Sequence, residues 1–85
     1  MNISKNEQRV LHELALGGRI NYTKNEKSKI QEVLCYTRNG YVLSNCTLEI
    51  FKSLKNKKLI SSKKGMPYTI TKLGLTTVRS QMNQR

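Results

Sequence analysis

From Thr47 to Arg79 the chain lays down a lysine-studded helix, a short flap with a glycine turn, and a second helix opened by Thr71-x-x-Gly74. Thr47 is a good N-cap residue type, and Leu48, Ile50, Phe51 and Leu54 recur behind it at helical spacing. Glu49, Lys52, Ser53 and Asn56 point away from that stripe, which leaves a buried seam with a basic outer face. Leu59-Ile60 begins an extended limb, Lys63-Lys64-Gly65 can turn, and Pro67-Tyr68-Thr69-Ile70 returns with strand alternation. Proline has no N–H for a ladder, so Pro67 belongs at the start of an edge strand. Behind Thr71, residues Leu75, Val78 and Met82 fall on one side of a helix, with Lys72, Thr76, Arg79 and Asn83 on the other. Helix, two-stranded flap and helix, in that order, outline the DNA-binding half of a winged helix.

Upstream, Ser4-x-x-Glu7 is a capping box: the serine hydroxyl accepts from the Glu7 amide while the carboxylate reaches back to the Ser4 amide. The first helix is predicted from about Lys5 to Leu16, with Val10, Leu11 and Leu14 inward, Ile3 as a staple and Gly17-Gly18 as a left-handed stop. Beyond it the pattern turns extended. Arg19–Tyr22, a polar turn at Lys24–Ser28, Ile30–Tyr36, a turn at Arg38-Asn39-Gly40 and Tyr41–Leu43 predict a three-stranded antiparallel meander. The fold class is therefore α+β: one winged-helix-like domain over residues 1–85, ordered α-β-β-β-α-β-β-α. The meander stands where a winged helix has its second helix, and it is equally suited to be a surface for another protein.

An 85-residue chain buries little more than ~60% of its unfolded surface, so a homodimer or a bound partner is a natural supplement. Sixteen Lys and Arg oppose five Glu and no Asp, for a net charge of +11. From Thr47 onward, nine basic residues oppose Glu49 alone, so that half carries +8 of the total. Polyanions or acidic protein surfaces relieve such self-repulsion, although a merely solvated basic surface has the same composition. No apolar run approaches the ~20 residues of a membrane span, and the amino-terminal residues lack the pattern of an export signal. A cytoplasmic protein with reduced thiols is expected.

The inventory argues against an enzyme and against a cofactor. One histidine, no aspartate and scattered glutamates assemble no acid–base or nucleophilic constellation. His12, beside the apolar stripe of the first helix, reads as a half-buried packing residue. Cys35 and Cys46 lack the paired spacing of a zinc site and read as small buried hydrophobes. The tyrosines Tyr22, Tyr36, Tyr41 and Tyr68 fall on predicted strands, where cross-strand packing is expected ahead of base stacking. No phosphate-binding glycine loop is present.

The lysines are the strongest functional signal. Lys52 and Lys55 lie one helical turn apart, Lys57 and Lys58 extend the line, Lys63 and Lys64 project from the flap, and Arg79 follows on the last helix. That layout suits the straddling of a DNA phosphate backbone. Ser53 and Asn56 alone on the exposed helix face suit base edges, too few for sequence choice, so non-specific DNA contact is expected.

Glu7-Gln8-Arg9, Leu11-His12, Gly17-Gly18-Arg19-Ile20, Cys35-Tyr36, Cys46-Thr47-Leu48, Phe51-Lys52, Leu54-Lys55, Lys57-Lys58-Leu59-Ile60, Gly65, Pro67-Tyr68, Gly74-Leu75 and Val78-Arg79 carry a further resemblance. On these residues the chain resembles the YjhX family of small bacterial toxins across essentially all of Ser4–Arg85. The resemblance implies a toxin that binds DNA topoisomerase I and blocks relaxation of negatively supercoiled DNA, neutralised by an antitoxin protein. It supplies no residue roles, so the candidate sites rest on charge and exposure. A transcription regulator or architectural DNA-binding protein is the alternative.

Overall fold

The computed structural model describes residues 3–83, with side chains through residue 80. Met82 and Asn83, expected on opposite sides of the last helix, and Arg85 fall outside the described side chains. The elements are α1 (Lys5–Ala15), β1 (Arg19–Lys24), β2 (Ile30–Tyr36), α2 (Leu48–Asn56), β3 (Ile60–Ser61), β4 (Thr69–Ile70) and α3 (Lys72–Asn83).

Both halves of the capping box form in α1. The Ser4 Oγ accepts from the Glu7 N–H at 3.1 Å, and the Ser4 N–H donates to Glu7 Oε1 at 3.2 Å. Gly17, at φ +111°, ends the helix, with the Gly17 and Gly18 N–H groups donating to the Leu14 and Glu13 carbonyls. Gly18 is required sterically: a Cβ there would lie 2.5 Å from the Tyr36 carbonyl oxygen, so only glycine lets the end of β2 approach α1.

β1 and β2 pair antiparallel with Ile20 opposite Cys35 and Tyr22 opposite Val33. The third strand of the predicted meander does not form. Tyr41–Leu43 makes a single bridge, Val42 to Tyr36, plus a hydrogen bond from Leu43 N–H to the Cys35 carbonyl. Turn bonds replace a ladder here: the Thr37 N–H donates to the Tyr41 carbonyl at 2.8 Å, and the Thr37 hydroxyl accepts from the Tyr41 N–H at 3.1 Å. Of the three residues only Leu43 turns inward, so there is little apolar burial to hold a third strand in register. Within the Asn39-Gly40 turn, the positive φ falls on Gly40 alone.

α2 begins as its sequence indicates, with the Thr47 hydroxyl accepting from the Ile50 N–H at 3.2 Å. It ends with Lys58 in the left-handed region at φ +61°, while the Lys58 and Leu59 N–H groups donate to the Lys55 and Leu54 carbonyls. Glycine is the usual residue at this position because a Cβ there costs about 1–2 kcal/mol. Lys58→Gly is therefore expected to stabilise the fold by about 1 kcal/mol, after allowance for the extra freedom glycine gives the unfolded chain. A urea-unfolding midpoint that fails to rise would refute this.

The flap is short, with Ile60 opposite Ile70 and Ser61 opposite Thr69. Its return limb is not the edge strand expected from Pro67. Tyr68 exchanges two backbone hydrogen bonds with Ile20, at 2.8 and 2.9 Å, so the limb lies between β3 and β1. Pro67 stands just ahead of that exchange, where its missing donor does no harm. Thr71 then caps α3, accepting from the Gly74 N–H at 3.0 Å and donating to the Lys58 carbonyl at 2.9 Å. Gly74 has to be small, since a Cβ would lie 2.5 Å from both the Leu59 carbonyl oxygen and Ile70 Cγ1. In α3, Gly74, Thr77 and Val78 turn inward, whereas Leu75 is only half-buried.

Val10, Leu11 and Leu14 of α1, Phe51 and Leu54 of α2, and Val78 of α3 close over Ile20, Cys35, Leu59 and Ile60 to form the core. Phe51 sits at its centre, 4.8 Å edge-on to Tyr68, which is in turn 5.3 Å from Tyr22. These tyrosines pack across strands, as expected. Strand alternation puts Arg19, Asn21, Leu34 and Tyr36 on the opposite face. On that face Leu34 is about half exposed, as is Val42 beside Tyr36.

Candidate functional site

Lys52, Lys55 and Asn56 are exposed on the outer side of α2, with Lys58 exposed at its end. Lys63 and Lys64 are exposed at the flap turn, where Lys64 and Gly65 take positive φ, and Arg79 is exposed on α3. Lys57 is placed differently from its neighbours. Its ammonium donates to Glu7 Oε2 at 2.9 Å, tying the end of α2 to the start of α1. The Ser53 hydroxyl donates to the same oxygen at 2.9 Å, so Ser53 is engaged within the fold instead of being turned to solvent as a base-reading side chain. Burial raises the proton affinity of the Glu7 carboxyl. The hydrogen bonds from Lys57, the Ser4 N–H and Ser53 outweigh that effect and hold its pKa below the usual carboxylate value.

The open sheet face gathers residues that the charge pattern of the carboxyl-terminal half does not reveal. Arg19 lies over the Tyr36 ring, its guanidinium carbon 5.0 Å from the centroid. A hollow of about 450 Å³ brings Arg19 beside Lys63, Met66, Pro67 and Thr69, so one flap lysine joins this face. Beyond Tyr36, its bridge partner Val42 is 53% exposed, and Tyr41, next to Val42 in the chain, is 73% exposed. Arg38 comes close to Gly17, since a Cβ on that glycine would lie 3.3 Å from its side chain, and the half-exposed Leu16 is adjacent in the chain. Aromatic, arginine and aliphatic side chains exposed together are the composition that protein interfaces favour. The signal available in advance was the outward alternation of Leu34 and Tyr36 opposite Asn21 and Arg19.

A second hollow, of about 530 Å³, has Val10, Leu43 and Val78 in its lining and Lys5, Arg9 and His12 around them. His12 is exposed there, not half-buried as its place beside the apolar stripe suggested. Cys35 is fully buried, as expected, but Cys46 is only partly so, and both are free thiols. Among the described residues no group of three or more His, Cys, Asp or Glu could hold a metal ion. No helix among them is long and apolar enough to cross a membrane.

Fold and surface together define a small basic α+β protein with exposed lysines on a helix and a flap, and an open, partly apolar sheet face. The chain belongs to the YjhX toxin family, whose model matches residues 1–85 and is described as "Putative toxin of bacterial toxin-antitoxin pair". It is 65% identical to a UPF0386 protein of Aliivibrio fischeri over the full length of both chains. It is 52% identical to one of Ruegeria sp., again over both full lengths, and 49% identical to one of Caulobacter vibrioides over all of this chain and 93% of that one. No solved structure matches it. Membership of this family implies an antitoxin as partner.

Proposed function

We propose that this protein is a cytoplasmic toxin that binds DNA topoisomerase I and inhibits relaxation of supercoiled DNA. On this reading the open sheet face contacts the enzyme, while Lys52, Lys55, Lys63 and Lys64 contact DNA phosphates. The observation that carries it is the exposure of Leu34 and Val42 on the sheet face that bears Arg19 and Tyr36. A protein that only neutralised phosphates would have no use for an exposed apolar face, and a protein-directed inhibitor needs one. The winged-helix reading of α2, flap and α3 belongs to the same proposal, with Asn56, Lys58 and Arg79 flanking the DNA. Lys57 contributes through its tie to Glu7 and keeps α2 in place.

Plasmid relaxation tests this. The protein should slow relaxation by topoisomerase I at concentrations that leave the same plasmid unshifted on a gel. Tyr41→Ala with Val42→Ser should abolish that inhibition without changing DNA affinity. Inhibition that appears only once the DNA is coated would refute an enzyme-directed mechanism. Replacing Lys52, Lys55, Lys63 and Lys64 by alanine should reduce the slope of log affinity against log salt by up to about 0.9 per lost phosphate contact. An unchanged slope would remove those lysines from the DNA interface.

The exposed lysines of α2 and the flap also favour a second reading, a DNA-binding regulator or architectural protein. That reading requires a specific site bound ~10³-fold or more above random DNA at physiological salt.

A further inference from the structure

Antiparallel pairings set one cross-strand row on the outer face of the strands. Ser61 pairs with Thr69, Arg19 with Tyr36, and Tyr36 bridges to Val42. The Ile20–Tyr68 bridge joins the two strand pairs, and one step along its register Arg19 faces Thr69. The neighbouring Ile60, Ile20 and Cys35 are buried in the core, so strand alternation turns the row outward. Its character changes along its length. Ser61, Thr69 and Arg19 supply donors at the flap end, whereas Tyr36 and Val42 make the other end aromatic and aliphatic. At the flap end, Arg19, Ser61, Lys63 and Thr69 line the hollow of about 450 Å³ together with Met66 and Pro67, and no carboxylate lines it. The flap turn keeps Lys63 there: the Met66 N–H donates to the Lys63 carbonyl at 3.0 Å, and the Ser62 hydroxyl donates to the Met66 carbonyl. Arg19 is steadied by the Tyr36 ring. Among the described residues Arg19 and Lys63 form no ion pair, and the Ser61 and Thr69 hydroxyls make no hydrogen bond.

We propose that this hollow is a phosphate subsite for a DNA strand, in which the Arg19 guanidinium and the Lys63 ammonium meet a phosphodiester and the Ser61 and Thr69 hydroxyls donate to its oxygens. The subsite rests on the reading of the basic surface as DNA-contacting, and it adds residues of β1, β3 and β4 to the lysines of α2 and the flap. A phosphodiester offers two charged oxygens that accept from a planar guanidinium fork and from hydroxyls at the same time. A strand also repeats that anion along its length, so the exposed Lys64 at the flap turn and Lys52 and Lys55 on α2 have further phosphates to neutralise. An isolated carboxylate gives them none. Because the same row continues into Tyr36 and Val42, a strand held at Arg19 lies directly beside the apolar surface proposed to meet topoisomerase I.

The test uses the whole protein and two probes, an oligothymidylate single strand and a short mixed-sequence duplex, at physiological salt. In the wild type, the backbone amide NMR signals of Arg19, Ser61, Lys63 and Thr69 should move most as DNA is added. The form bound more tightly identifies the source of the phosphate, and either one supports the site. Arg19→Gln should weaken binding about tenfold, the worth of a charge-assisted hydrogen bond. It should also reduce the slope of log affinity against log salt by about 0.7 on the single strand or about 0.9 on the duplex. Ser61→Ala with Thr69→Val should weaken binding about fivefold with the slope unchanged, because hydroxyls displace no counterions. Lys27→Gln removes an equal charge in the turn between β1 and β2, at the far end of the hairpin from Arg19, and should change affinity by about twofold at most. Amide shifts centred elsewhere, or an Arg19→Gln variant that binds DNA as the wild type does, would overturn the subsite. If alanine at Lys52 and Lys55 still weakens binding in that case, the DNA contact of those lysines stands without it. A polyglutamate peptide bound as tightly as DNA, with the same amide shifts, would overturn it too, since the hollow would then be a carboxylate site for an acidic protein. Absence of DNA binding would overturn both the subsite and the DNA contact. The wild-type spectra need no variant to fold.

Discussion

Phe51→Ala should cost about 3–5 kcal/mol of stability, and in a domain this small it should leave the folded state marginal at physiological temperature. Phe51 is 1% exposed and the largest of the fully buried side chains. It stands on α2 and meets the Tyr68 ring at a perpendicular angle, so its loss removes apolar burial and an aromatic contact at once. It also holds the helical half to the strands, because Tyr68 is the residue that exchanges backbone bonds with Ile20 of β1. A chain of 85 residues has only roughly 4–13 kcal/mol in total, so this one side chain is a large share. Urea unfolding of the variant measures it; a loss under about 1 kcal/mol would mean that the core collapses around the gap.

Glu7→Gln is expected to destabilise the protein by about 2 kcal/mol at neutral pH, and the difference should vanish on acidification. Glu7 is 7% exposed and joins α1 to Ser53 of α2 and to Lys57 at its end, so an amide in its place removes the carboxylate from the Lys57 ion pair. Because Lys57 is 29% exposed it recovers some hydration, which keeps the cost below that of a fully buried broken pair. The pKa of Glu7 is lower in the folded than in the unfolded state. Its contribution is thus complete above the unfolded value of about 4.3, and it is lost as pH falls through the lower folded value. Stability curves of the two proteins should therefore converge below about pH 4. Parallel curves down to low pH would show that the carboxylate does not stabilise the fold by its charge.

The starts of all three helices, and the end of the first, were legible in the residues themselves. Ser4 with Glu7, Thr47, and Thr71 each supply a side-chain acceptor within three residues of the amide they satisfy. Gly17-Gly18 supplies its stop in the same local way. Such signals survive translation into structure because both partners sit a turn apart in the chain, whatever packs around them. The hairpin of β1 and β2 follows from alternation for the same reason.

Long-range partners decided the rest. Tyr41–Leu43 has the composition of a strand, yet the Thr37 turn and the absence of a face to bury leave it with one bridge. Lys57 has the same charge as Lys58, but Glu7, fifty positions away, draws it inward while Lys58 stays exposed. Lys63 meets Arg19 across a hollow, through an approach that no spacing in the chain encodes. Local hydrogen bonds and apolar periodicity are properties of short segments and can be read from one chain. Which cations stay exposed and which face of the sheet stays open depend on how those segments pack, and packing is set by the whole core at once.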